Sequence, residues 1–308
     1  MLMAMTTATA RRETLVRLRF HTVDVFTQTR FGGNPLAVVL DADELTTAQM
    51  QAIAREFNYS ESSFVLRPSD PAHTARVRIF TPTVEVPFAG HPNVGTAFVL
   101  ASAGGGVLGE TFIFEEAAGL VRGHIRRDGD RIAQICLSAP QPLRLGQALP
   151  ADAIADCLSL STADISCDRH PPRVASVGLA FVVVEIASRA ALSRAKANLP
   201  AFAALLPCDG ADAIYLYCRE LGAADGAVDV TARMFSPFDN LPEDPATGSA
   251  TAAACAWFAA LEGGVPRRFE VAQGVDMGRP SRIAIEVTPD AVVIGGACVP
   301  VMSGEVSV

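Results

Sequence analysis

From Val16 to Phe26 the chain alternates, with Val16, Leu18 and Phe20 apolar and Arg17, Arg19 and His21 polar. A period of two puts each set on its own face, so this stretch predicts a half-buried β-strand. GGNP (32–35) predicts a turn into an apolar strand, LAVVL (36–40). Thr46 and Gln49 then have capping-box spacing, and Met50, Ile53, Ala54 and Phe57 recur at helical spacing, predicting a helix that ends near Asn58. Strands SFVL (63–66) and VRIF (77–80) come next. After them come a loop carrying AGHPNVG and an Ala-rich buried helix, begun by Pro92 and stopped by Gly104, Gly105 and Gly106. TFIFEE, LVRGHIRR and RIAQICLSA predict three more strands within 111–139, and the Pro-containing APQPLRLGQALP closes this part of the chain.

The second part repeats that order: strand FVVVEI (181–186), a helical stretch from about 190, strands IYLYC (214–218) and VDVTARMF (228–235), a loop, and an Ala-rich helix. RIFTP (78–82) recurs as RMFSP (233–237), and HPNVGTA (91–97) recurs as DPATGSA (244–250). Two matches in the same order point to duplicated halves. Facing halves of this kind present their equivalent loops across one cleft, a favoured place for a small-molecule site. We therefore expect an α+β protein with an N-terminal half at 15–135, a C-terminal half at 136–291, and a C-terminal strand (292–308) returning to complete the first. Residues 1–14 are expected to be a disordered tail.

Composition narrows the function. The chain has 308 residues, half of them apolar and 19% charged, which suits two packed domains. A net charge of −8 argues against a nucleic-acid partner. No apolar run is long enough to span a bilayer, since FVVVEIA (181–187) is strand-length and interrupted by Glu185. Seven scattered cysteines without CxxC spacing read as free thiols in a reducing cytoplasm. GxSxG, a Walker loop and a dinucleotide fingerprint are all absent, and no His or Cys set has metal-ligand spacing, so neither cofactor nor metal is expected.

The repeated loops are the candidate site. Each has Pro at the expected first helical position, with His91 or Asp244 where an N-cap would sit. Two helix N-termini aimed into one cleft would bind a small carboxylic acid through free backbone N–H groups, and Gly90, Gly95 and Gly248 would let that ligand come close. Asp244 is either an ordinary cap or a functional carboxylate. His91 is the only one of five histidines in the repeated loops and reads as a donor or proton shuttle. Glu61, in NYSESSF, is either a solvated loop residue or a general acid–base held among hydroxyls beside Phe64. Ser249 donates to a ligand or bonds locally, and Arg279 in GRPS belongs to a turn or meets a substrate carboxylate.

GGNPLAVV (32–39), SESSF (60–64), FAGHPNVGTA (88–97), EDPATGSA (243–250) and QGVDMGRPS (273–281) together resemble the phenazine-biosynthesis isomerase-like (PhzF-like) family, in that family's order. The resemblance implies a diaminopimelate epimerase-like fold: two pseudo-symmetric halves, each a β-sheet curled, barrel-like, around a central helix, usually assembled as a homodimer. It implies Glu61 as the main acid–base, with His91, Asp244 and Ser249 binding and orienting the substrate and assisting proton transfer. The implied reaction is a cofactor-free isomerisation within a small unsaturated or cyclic carboxylic acid, as for trans-2,3-dihydro-3-hydroxyanthranilate. Related epimerases and racemases use a facing pair of cysteines, which these loops lack, so a racemase would need other bases. A non-catalytic acid-binding protein is the remaining alternative.

Overall fold

The computed structural model describes residues 16–103, 109–219, 228–239 and 241–308. The expected tail at 1–14 and the stop at Gly104–Gly106 lie outside the described residues. In the first half, Arg17–Val25 lies antiparallel to Asn34–Val39, which runs parallel to Glu61–Leu66 after the Thr47–Phe57 helix. Glu61–Leu66 is antiparallel to Ala75–Phe80, which runs parallel to Thr111–Glu116. Gly119–Asp128 and Arg131–Ser138 then continue as antiparallel neighbours.

The strands Arg173–Ser176, Ala180–Ile186, Ile214–Cys218, Val230–Ser236, Arg267–Gln273, Ser281–Val287 and Val292–Gly296 repeat this succession of antiparallel and parallel pairings one for one. The final strands of the two sets, Arg131–Ser138 and Val292–Gly296, pair with each other and join the sheets. The next strand after each set crosses to the other half: Arg144–Ala148 pairs with Arg173–Ser176, and Cys298–Ser307 pairs with Arg17–Val25. The Pro-containing stretch after 139 therefore includes a sheet strand as well as a connection.

Each curled sheet packs around one helix, Gly90–Ala103 in the first half and Gly248–Leu261 in the second. From Ala250 to Ala259 every side chain of the second helix is buried, Trp257 and Phe258 included. A helix apolar on all sides has no solvent face to offer and must be enclosed. Small side chains let the surrounding strands approach it.

The RIF/RMF repeat has a physical cause. The Arg78 guanidinium makes a two-point contact with Glu85 at 2.7 and 2.6 Å and lies 5.2 Å from the Phe80 ring centre. Arg233 does the same with Glu243 at 2.7 and 2.8 Å, 4.8 Å from Phe235. Each pair ties a core strand to the short returning strand that leads into a central helix. Ile79 is opposite Val86, and Met234 is opposite Asp244.

This register corrects the sequence pairing of the loops. Val86 and Asp244 occupy equivalent places, and the helices begin the same distance later, at Gly90 and Gly248. The counterpart of His91 is thus Ser249, and HPNVGTA matches DPATGSA in letters but not in position. Neither His91 nor Asp244 is an N-cap: His91 lies inside the first turn of its helix, and Asp244 ends a strand, with Thr247 in the cap position. GGNP is likewise shorter as a turn than expected, because Asn34 and Pro35 already belong to the strand.

Candidate active site

The parallel pairing of Asn34–Val39 with Glu61–Leu66 sets the first part of the site. It aligns Leu36 with Glu61, so Glu61 is the first residue of a strand and not part of a loop. Ser60, just before it, donates through Oγ to Asn34 Oδ1 at 3.3 Å. His91 Nδ1 stands 3.4 Å from Glu61 Oε2. His91 is buried, and desolvation pushes its imidazole down to about 3, with the Pro35 carbonyl opposing this only in part. At neutral pH the ring is uncharged.

Asp244 enters from the other half. Its Oδ1 accepts from Asn34 Nδ2 at 2.7 Å and its Oδ2 accepts from Thr247 Oγ1 at 2.5 Å. Burial raises this carboxyl above the usual carboxylate range, while the Thr247 and Asn34 donors pull the other way. Asn34 Nδ2 also donates to the Ala246 carbonyl at 3.1 Å and lies 3.3 Å from His91 Nδ1. Glu61, His91 and Asp244 are therefore brought together, with Asn34 between them.

The two central helices meet here by their N-terminal ends. A Cβ on Gly90 would stand 3.7 Å from the backbone nitrogen of Ser249. First-turn N–H groups have no partner within their own helix, so this junction favours an anionic group. The other two glycines serve packing. A Cβ on Gly95 would come within 2.5 Å of Leu36 Cδ2 and 2.9 Å of Val25 Cγ2. Gly95 is thus the point where helix meets sheet, which corrects its expected place against the ligand. Gly248 opens its helix with Phe26 and Ile294 each 3.1 Å from where a Cβ would be.

Sequence reasoning missed Asn34 and the frame around Asp244. Gln273 is fully buried: its Nε2 donates to the Asp244 carbonyl at 2.8 Å and to Thr247 Oγ1 at 3.0 Å, and its Oε1 accepts from Thr247 N at 3.1 Å. Ser281 Oγ donates to the Pro245 carbonyl at 3.0 Å. Arg279 donates to Asp24 Oδ1 at 2.6 Å and to the carbonyls of Gly33 and Gly32 at 2.8 and 2.9 Å. The QGVDMGRPS segment thus holds both EDPATGS and GGNP, and Arg279 is spent on that scaffold. Among the described residues no cluster of His, Cys, Asp or Glu could hold a metal ion, and no helix is long and apolar enough to cross a membrane.

The family model for phenazine biosynthesis-like proteins matches residues 23–304. The chain belongs to this PhzF-like family. It is 43% identical over 295 residues to an uncharacterized isomerase of Mesorhizobium japonicum, covering 92% of this chain and 96% of that one. It is 38% identical over 268 residues to the trans-2,3-dihydro-3-hydroxyanthranilate isomerase of Pseudomonas aeruginosa, covering 86% and 88%. A PhzF-family phenazine biosynthesis protein of Bacillus anthracis superposes with a TM-score of 0.86 at 27% identity, covering 94% and 99%. Family membership makes the chain an isomerase with a diaminopimelate epimerase-like fold, its sheets curled and not closed.

Proposed function

We propose that the protein catalyses a cofactor-independent 1,3-type proton transfer within a small unsaturated or cyclic carboxylic acid, with Glu61 as the acid–base. The carrying observation is the placement of Glu61 Oε2 3.4 Å from a buried imidazole, beside a carboxyl from the other half. In this reading Glu61 removes a proton from an allylic carbon, the electron pair shifts along the conjugated system, and the same carboxyl returns the proton to the far carbon. The double bond moves and the atoms balance. General acid–base participation of this kind contributes on the order of 10²–10⁴-fold.

The remaining groups orient and stabilise. First-turn N–H groups near Gly90 and Ser249 receive the substrate carboxylate and hold it in place while the proton moves. His91, being uncharged, shares a proton with the substrate without adding a fixed cation, and the raised Asp244 carboxyl offers a second proton position. The Pseudomonas aeruginosa relative supports trans-2,3-dihydro-3-hydroxyanthranilate as the first substrate to try. The test is incubation with that compound in D₂O, monitored by NMR, beside a Glu61→Gln control. Rearranged product, absent from the control, supports the reading, and the deuterium it carries measures how far the proton held on Glu61 exchanges with solvent before its return. Full turnover by Glu61→Gln would exclude it, and inversion at one carbon without movement of a double bond would make the enzyme an epimerase.

A further inference from the structure

The amide of Gln273 is fully buried, and its three contacts fix which way round it lies. Oε1 accepts from the Thr247 amide at 3.1 Å, while Nε2 donates to the Asp244 carbonyl at 2.8 Å and to Thr247 Oγ1 at 3.0 Å. Exchanging the oxygen and nitrogen would set oxygen against the Asp244 carbonyl and N–H against the Thr247 N–H. Thr247 Oγ1 therefore accepts from Gln273, and its own single hydrogen goes to Asp244 Oδ2 at 2.5 Å. On the other side, Asp244 Oδ1 accepts from Asn34 Nδ2 at 2.7 Å. Both oxygens of this buried carboxyl thus receive a donor, an arrangement that favours the ionised form.

The fold itself does not require this chain of contacts. Arg76, two residues before Arg78, is opposite Glu115, and Thr231, two residues before Arg233, is opposite Ala272. Glu116 thus has the place of Gln273, as Val86 has that of Asp244 and Ala89 that of Thr247. Val86 and Ala89 have no polar side chain, and the carboxyl oxygens of Glu116 have no hydrogen-bond partner among the described residues, yet the helix Gly90–Ala103 forms there. We propose that Gln273 is a positioning residue: it orients the Thr247 hydroxyl so that its hydrogen holds Asp244 as a proton-accepting carboxylate. Resting on the acid–base reading above, this opposes the burial that raises the Asp244 carboxyl and keeps it able to take a proton while Glu61 works. The other titratable groups around Asp244 are His91, on the far side of Asn34, Glu61 beside His91, and the neighbouring Glu243, which is paired with Arg233.

The test reads the proton on Asp244 directly, without substrate. In full-length protein labelled with ¹³C-aspartate, the side-chain carboxyl resonance of Asp244 is the one missing from an Asp244→Asn sample, and its shift follows protonation as pH changes. Thr247→Val removes the hydroxyl at nearly constant shape, so the titration midpoint should rise by about one to two pH units, the worth of one hydrogen bond to a charged group. Thr247→Ser restores the hydroxyl and should bring the midpoint back toward that of wild type. Gln273→Met should give a smaller rise alone and none in the Thr247→Val background, because Gln273 acts through that hydroxyl. A Thr247→Val midpoint that stays or falls overturns the proposal. An unmoved midpoint in Gln273→Met, or an effect that persists at full size in the double variant, overturns it as well. Where Gln273→Met does not fold, Gln273→Asn, one methylene shorter, is read in the same way. In turnover, the acid limb of kcat should move upward with the midpoint. Absence of turnover in every sample would count against the proposed reaction, and the titration would still decide the role of Gln273.

Discussion

Arg279 stands 2.6 Å from the buried carboxylate of Asp24 and thereby joins the two halves of the chain. The other oxygen of Asp24 accepts from the Phe31 amide at 2.6 Å, and the same guanidinium holds the carbonyls of Gly32 and Gly33. These contacts fix the backbone immediately before Asn34, so a residue outside the reacting group sets the place of one inside the site.

Removing that cation should be costly. Arg279→Ala leaves Asp24 as an uncompensated buried charge, and breaking such a pair costs about 3–5 kcal/mol. We expect denaturant unfolding to show a loss of about that size, with turnover reduced in the protein that remains folded. Arg279→Lys should recover little of either. A lysine ammonium is a point charge on a flexible stem and cannot reproduce a planar fork shared among three oxygens.

Gly95 separates packing from ligand binding. A methyl group there would overlap Leu36 and Val25 in the first half's core, and overpacking of this kind costs about 1–3 kcal/mol. Gly95→Ala should therefore lower the unfolding midpoint while leaving KM unchanged. A raised KM with unchanged stability would return Gly95 to the ligand.

Much of this fold was legible because its local signals agree with its pairings. The alternation from Val16 marks the strand Arg17–Val25, and Thr46 with Gln49 marks the start of the Thr47–Phe57 helix, whose capping box is formed and whose end is Asn58 in the left-handed region at φ 53°. The RIF/RMF repeat marks matching Arg–Glu braces. Asn34 was hidden because Asn before Pro has the composition of a turn and its decisive partner, Asp244, is 210 positions away. The loop pairing slipped for a related reason: Pro, Gly and Ala recur in both motifs, but equivalence is set by strand register, which pairs Asp244 with Met234 and makes Ser249 the counterpart of His91. Position relative to the RMF brace was the signal that could have shown it.

Glu116, outside the site, should make stability depend on pH. Both of its carboxyl oxygens are buried without a hydrogen-bond partner, and desolvation raises its carboxyl from 4.5 to about 8, with Asn93 opposing this only in part. A raised folded-state value means that folding favours the protonated form. The stabilising contribution is complete below the ordinary carboxylate range and is lost as pH rises from there through about 8. Glu116→Gln carries a permanently neutral isostere, so its melting temperature relative to wild type should climb across that window and level off above it. The scale is about 1.4 kcal/mol for each unit of difference realised between the folded and unfolded chains. A difference that stays flat from pH 5 to pH 9 would show that Glu116 is ionised in the folded protein.

Ser249 offers the sharpest check on the corrected equivalence of the two loops. As the second residue of its helix it combines a first-turn N–H with a side-chain hydroxyl, across from Gly90. If the helix junction receives the substrate carboxylate, Ser249→Ala removes one donor to a charged group and keeps the backbone donor and the helix. A hydrogen bond to a charged group contributes about 1.5–3 kcal/mol. KM should therefore rise roughly ten- to a hundredfold while kcat changes little, because the carboxylate is held in both ground and transition states. A fall in kcat alone would place Ser249 at the charge that develops during proton transfer. Unchanged kinetics would remove its hydroxyl from the site and leave the backbone N–H groups of the two helices to hold the acid.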